Sequence, residues 1–149
     1  MKFIKVTTKQ QLDDAFKIRK IVFVEEQKVP IELELDEFED TATHFVGYGS
    51  NNEPIAASRL RFIDDYGKLE RICVLKEHRG KNFGKQIILE MEQYVKEHGY
   101  TKTKLNAQSY AEPFYKKLGY ETVSDEFIDA GIPHVTMVKK LVCIFKECK

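Results

Sequence analysis

Hydrophobic positions change period several times along the chain, and each change predicts an element. Residues 3–6 make a short apolar strand. Thr8 and Gln11 then stand at capping-box spacing and open a helix through Leu12, Ala15, Phe16, Arg19, Val22 and Phe23, which Pro30 stops. An acidic segment follows, read as loop with a short helix around 34–38. Residues 44–48 and 55–63 read as a hairpin around the polar stretch 50–54, and Asp64, Asp65, Tyr66 and Gly67 turn into a further strand at 69–75. Phe83, Ile87, Ile88, Met91, Tyr94 and Val95 recur at helical spacing, with Gly99 as the stop. A strand over 102–108 comes next. Ser109 and Glu112 form a second capping box for a short helix ending at Gly119, and strands near 120–123 and 135–141 flank a turn at Gly131, Ile132 and Pro133. The order β-α-β-β-β-α-β-α-β-β predicts an α/β fold: a mixed central sheet of about seven strands with flanking helices.

The 149 residues fit one domain with a substantial core, and neither a repeat nor a low-complexity segment interrupts them. Lysine plus arginine equal aspartate plus glutamate at 24 each, so no global field recruits nucleic acid or an anionic membrane. Charge is nonetheless uneven. Eight acidic residues fall between Glu25 and Asp40 against Lys28, whereas 76–85 holds four cationic side chains against Glu77. The acidic run is read mainly as a solvated face, with a minor role in attracting a cationic amine. No stretch reaches the roughly 20 apolar residues of a membrane span, and the charged start Met1-Lys2-Phe3-Ile4-Lys5 is no secretory signal. Cys73, Cys143 and Cys148 form no C-x-x-C pair and are odd in number, which fits a reducing compartment, and the expected location is cytoplasmic. Cys73, inside an apolar strand, is read as structural.

Candidate chemistry concentrates in Arg79-Gly80-Lys81-Asn82-Phe83-Gly84-Lys85, a glycine-containing turn between strand and helix. The first amides of a helix lack intrahelical partners and sit at the positive end of its dipole, and Arg79, Lys81 and Lys85 add full charges. Such a turn suits a pyrophosphate. The spacing excludes two nucleotide motifs. Gly80 and Gly84 are one residue too close for G-x-x-x-x-G-K, where Gln86 also replaces the hydroxyl, and Asn82 breaks G-x-G-x-x-G.

The turn instead resembles the acetyl-coenzyme A loop of the GNAT superfamily of N-acetyltransferases: Arg or Gln, two residues, Gly, one residue, then Gly or Ala. Arg79 and Gly84 match; Asn82 stands at the middle glycine and is among the few residues that tolerate positive φ. The resemblance runs in order through Leu69-Glu70-Arg71-Ile72-Cys73-Val74-Leu75, the helix after the loop, the strand ending Leu105-Asn106-Ala107, and Ala111-Glu112-Pro113-Phe114-Tyr115-Lys116-Lys117-Leu118-Gly119-Tyr120. Arg19 to Gln27, Pro30, Asp36, Asp40 and His44, together with Gly131-Ile132-Pro133-His134, look like the ElaA-like branch of that superfamily.

This resemblance implies one N-acetyltransferase domain over 1–149, which uses acetyl-coenzyme A and no metal to acetylate a small-molecule or peptide amine by direct attack in a ternary complex. It implies a bulge at 72–74 that parts this strand from the one ending at Asn106, so that pantetheine inserts between them. Amides of Cys73 or Val74 would serve as oxyanion donors. Ile72, Cys73, Val74, Arg79, Gly80, Lys81, Asn82, Phe83, Gly84, Lys85, Asn106 and Phe114 form the implied cofactor site. Tyr115 takes the place of the tyrosine that protonates the departing thiolate, with Tyr110 as substitute; it reads equally as a core aromatic beside Phe114 and Leu118. Glu70, expected on the same face as Ile72 and Val74, is the candidate base, or else an exposed carboxylate paired with Arg71 or Arg61; His134 and Glu26 are the runners-up. His44 and His134 with Asp36 and Asp40 show no metal-ligand spacing and read as hydrogen-bonded structural groups. Two further readings are a coenzyme-binding regulatory module without turnover and an acyl-transferring signal synthase. The apolar tail Val142, Cys143, Ile144 and Phe145 would pack on a partner, giving a homodimer, or on the chain's own last strand.

Overall fold

The computed structural model describes residues 1–141. Eight strands and four α-helices alternate in the expected sequence: β1 (Lys2–Lys5), α1 (Lys9–Arg19), α2 (Ile31–Glu34), β2 (Thr43–Tyr48), β3 (Pro54–Ile63), β4 (Tyr66–Val74), α3 (Phe83–Glu97), β5 (Lys102–Gln108), α4 (Glu112–Lys117), β6 (Glu121–Thr122), β7 (Phe127–Asp129) and β8 (Ile132–Lys140). They form one mixed sheet in the order β1-β2-β3-β4-β5-β8-β6, with β7 also on β8. All neighbours are antiparallel except β4 and β5.

Strand alternation divides the core between the two sheet faces. Phe45, Ala56, Leu60, Leu69 and Leu105 meet Ile87, Ile88, Met91 and Val95 of α3 on one face; Val46, Ala57 and Cys73 meet Ala15, Ile18 and Val22 on the other. The Thr8 capping box forms as predicted, with the Gln11 amide on the Thr8 hydroxyl and the Gln11 side chain on the Thr8 amide.

Four details depart from the sequence reading. First, α1 does not continue as an α-helix through Val22; residues Lys20–Glu26 follow it as a π-helix. Second, the short helix lies at Ile31–Glu34, and 36–42 turns back as loop. Third, the Ser109 box does not form: Ser109–Ala111 is a 3-10 turn, α4 has no side-chain cap, and the Ser109 hydroxyl donates to Glu126. Fourth, β7 is an extra strand, and β8 begins at Ile132 rather than Val135, so Ala130 and Gly131 make the turn. Residues 142–145 of the apolar tail lie outside the described residues.

Candidate active site

The site opens where the sheet comes apart. Parallel pairing of β4 with β5 covers only Gly67, Lys68 and Leu69 against Thr103, Lys104 and Leu105, and stops there. On its other edge β4 carries a bulge: Ala57 pairs with Cys73 and Arg59 with Glu70, so Arg71 and Ile72 together face Ser58. Arg71 takes φ 55° to make this turn, and the Ser58 hydroxyl is buried without a partner among the described residues. Beyond the last pair the two strands flank a cleft of about 420 Å³, lined by Leu69 to Ile72 on one side and Leu105 to Gln108 on the other.

Backbone direction follows from the register. The Leu75 amide donates to Ile55 on β3, so alternation turns Cys73 toward β3 and Val74 away from it. The Val74 carbonyl accordingly accepts from Arg79 Nε at 2.9 Å. Of the two amides proposed from sequence, that of Val74 points away from the paired edge. Cys73 packs its thiol under α1, where burial pushes its pKa up to about 12.

The cationic turn ends at Asn82, which adopts the left-handed conformation (φ 63°, ψ 19°) and makes no side-chain cap to α3. Gln86 donates the first helical bond, to the Asn82 carbonyl, leaving the amides of Phe83, Gly84 and Lys85 without helix partners. Gly80 has φ 82°, a backbone that disfavours a side chain. Phe114, 39 % exposed, lies next to Gly84: a Cβ there would rest 3.5 Å from its ring. Lys81 and Lys85 are exposed. Arg79 differs from the expectation of a free cation, because its two Nη atoms donate to Glu26 at 2.7 and 2.8 Å. Those hydrogen bonds hold the Glu26 carboxyl below its usual range.

Tyr115 lines the cleft, edge-on to Phe114 and Tyr120, and burial raises its phenol well above the usual tyrosine range. Tyr110, also at the cleft, is 79 % exposed. Asn106 accepts from the Thr136 hydroxyl. Gln108 donates to Gln27 at 2.9 Å, tying β5 to the end of the π-helix across the cleft. His134 lines the cleft wall, stacked on Phe127, with Nδ1 2.6 Å from the Ile132 carbonyl. His44, two strands from the cleft edge, has Nε2 on the Glu39 carbonyl, and burial keeps its pKa below the usual value.

Glu70 is not exposed, and it does not share a face with Ile72 and Val74. The bulge breaks the alternation: Leu69, Ile72 and Val74 pack on the α3 side, while Glu70 faces Arg59, Arg61 and Lys68. Burial opposes its charge, yet hydrogen bonds from Arg61 and the charges of Arg59 and Lys68 hold its pKa down to about 2. Glu70 belongs to a larger network that the sequence did not suggest. Arg19, fully buried, is held by Glu34 and Glu39; Arg59, also buried, is held by Asp36, Glu39 and Glu70; Arg71 contacts Glu34 and Asp36. Three of the eight residues of the acidic run, Glu34, Asp36 and Glu39, therefore turn inward as counter-charge, while Glu25, Glu26, Glu32, Glu37 and Asp40 stay exposed. The sequence signal was Arg59 and Arg61 at alternate positions of one strand, beside a strand whose one carboxylate is Glu70, with a carboxylate surplus in 25–40 and no local partner for it.

A family model described as an acetyltransferase (GNAT) domain matches residues 8–141. The uncharacterized N-acetyltransferase YjcF of Bacillus subtilis is 49% identical over 140 residues, 93% of this chain and 99% of its own. A crystal structure from Lactobacillus plantarum superposes with TM-score 0.89 at 28% identity, over 95% of this chain and 98% of its own. That of Escherichia coli ElaA gives 0.84 at 25% identity, over 93% and 99%. With the split sheet, the bulge and the uncapped helix start in the expected order, the chain belongs to the GNAT acetyltransferases, in their ElaA-like branch.

Proposed function

We propose that this single domain transfers an acetyl group from acetyl-coenzyme A to a primary amine by direct attack within a ternary complex, in the cytoplasm. The observation that carries the reading is the early end of the β4–β5 pairing in front of an uncapped helix start. The residues fit the coenzyme. Beyond Leu69 and Leu105 the facing edges of β4 and β5 are unpaired and offer backbone groups to pantetheine, and the amides of 83–85 with Lys81 and Lys85 offer donors to a pyrophosphate. Asn82 already holds the left-handed backbone that the middle glycine would supply. Phe114 flanks that start, and Asn106 and Ile72 stand on the two walls. Arg79 acts indirectly, bracing the turn through Glu26 and the Val74 carbonyl.

When bound, acetyl-coenzyme A supplies the activated acyl group. The Val74 amide, unpaired toward β3, donates to the thioester oxygen as it gains charge. Tyr115, which lines the cleft and whose phenol is kept protonated by burial, gives its proton to the sulfur as the carbon–sulfur bond breaks. Glu70 does not take the amine's proton: a carboxylate of pKa about 2, shared by three cations, has little basicity to spare. Glu26 is committed to Arg79, so we assign that proton to His134, whose Nε2 has no partner among the described residues.

Thiol release from acetyl-coenzyme A over a panel of primary amines tests the reading. Tyr115→Phe should lower kcat on the order of 10²-fold near neutral pH with the coenzyme KM unchanged. A wild-type kcat would remove Tyr115 from the chemistry, and absence of thiol release with every amine would overturn transfer itself.

A further inference from the structure

The wall of the cleft away from α3 carries more cationic donors than its own carboxylates absorb. Arg61 donates through Nε and Nη2 to Glu70 and lays its guanidinium 3.7 Å over the Phe38 ring, leaving Nη1 without a partner among the described residues. Arg71 is used in the same way, through Nε and Nη2 toward Leu33, Glu34 and Asp36, and its Nη1 is likewise free. Among the described residues Lys68 reaches only Glu70, at 3.3 Å. All three line the cleft and are between 16 and 24 % exposed; Arg59 also lines it but, like Arg19, is buried and committed to carboxylates. Arg19, Arg59, Arg61, Lys68 and Arg71 meet four carboxylates, Glu34, Asp36, Glu39 and Glu70, which leaves one positive charge over. Across the cleft, Asp129 on β7 is an exposed lining carboxylate with no cationic partner among the described residues, one strand from His134.

We infer that the acceptor is a small amine carrying a carboxylate on the same molecule, the carboxylate held by Arg61, Lys68 and Arg71 and the amine directed toward Asp129 and His134. A single surplus charge matches a carboxylate rather than a phosphate dianion. Two free guanidinium nitrogens and an ammonium supply charge-assisted hydrogen bonds to its two oxygens. A purely cationic polyamine would face like charge on this wall. The inference rests on the transferase reading and deepens it.

Two measurements separate the inference from that reading. In the first, thiol release is followed with straight-chain aminoalkanoic acids of increasing length, each beside its carboxamide and the corresponding aminoalkyl phosphate, with rates corrected for the free-amine fraction. The best acid should exceed its carboxamide in kcat/KM by about tenfold or more, the worth of a charge-assisted pair. Arg61→Gln and Arg71→Gln should collapse that ratio, and Lys68→Gln, which removes only a contact to Glu70, should reduce it with the fold intact by circular dichroism. In the second, titration calorimetry compares the N-acetylated acids with the N-acetylated carboxamides on the coenzyme A-saturated protein. The acids should bind at least about tenfold tighter. Equal binding, or a preference for carboxamide or phosphate in either assay, overturns the inference even if transfer is brisk. Tighter binding of the acids without any thiol release overturns the transferase reading, and the acceptor assignment with it, while the carboxylate site at Arg61, Lys68 and Arg71 stands.

Discussion

Removing the Glu70 carboxylate tests the charged network directly. Glu70→Gln keeps the side-chain volume but strips the negative charge that Arg59, Arg61 and Lys68 share. The folded-state pKa of about 2 lies below the unperturbed 4.5. At about 1.4 kcal/mol per pH unit, that gap corresponds to about 3 kcal/mol of native-state stabilisation by the ionised form. The side chain is 10 % exposed, so solvent screening takes little from this figure. Because the folded pKa is depressed, the contribution is complete above the unfolded value near 4.5 and is lost as pH falls toward 2. Urea unfolding at pH 7 should therefore find Glu70→Gln less stable by about 2–4 kcal/mol, since Arg59 keeps Asp36 and Glu39. For a chain of this size the midpoint of thermal unfolding should drop by roughly 4–16 °C. Repeated between pH 6 and 3, the difference from wild type should hold down to about pH 5 and shrink below it. A difference that stays constant with pH, or a variant as stable as wild type at pH 7, would refute the electrostatic assignment. The same variant, if soluble, should keep the acid-side limb of its kcat profile, the limb set by deprotonation of the base; loss of that limb would restore Glu70 as the proton acceptor.

Three further outcomes follow from local geometry. Asn82→Gly should hold or slightly raise stability while Asn82→Val costs about 1–2 kcal/mol, because the position has φ 63°; equal melting temperatures would contradict the left-handed turn. Tyr120→Phe removes the hydroxyl shared by Thr103 and Glu92 at 2.8 and 2.9 Å, and chemical denaturation should register a loss of about 1–3 kcal/mol. Ser58→Ala deletes a buried hydroxyl that has no partner among the described residues, and should be neutral or stabilising by up to about 1 kcal/mol; marked destabilisation would reveal a hidden hydrogen bond beneath the bulge.

Sequence periodicity reached the elements whose stability is local or whose apolar stripe is long. The Thr8 capping box, α3 with its stripe from Phe83 to Val95, and the β2–β3 hairpin were legible for that reason. The strand β7 was not, because three residues set between Ser124, Asp125 and Glu126 and a turn show no alternation of their own and gain their order from β8. Ser109 has the right spacing for a cap, but Glu126 takes its hydroxyl, a competitor 17 residues away. The resemblance implied a bulge at 72–74, but it lies at Arg71 and Ile72, next to Glu70, and so reverses which face Glu70 occupies. Near the site, the strand–turn–helix around 79–85 was legible from its spacing, and Tyr115, implied by the resemblance, does line the cleft. The inward arginines could not, since Arg19 meets Glu34 and Glu39 across 15 and 20 positions and Arg59 meets Asp36 across 23.

The three-residue seam between β4 and β5 has a mechanical consequence. Six strands hang on it, β1 to β3 on one side and β6 to β8 on the other, so the molecule is two half-sheets laced by one short stitch and clasped by α3. Exposed strand edges normally sit at the rim of a fold, where they recruit strangers. Here two such edges face each other within the sheet, on either side of the cleft. Pulled from its ends, the protein should part along this line first.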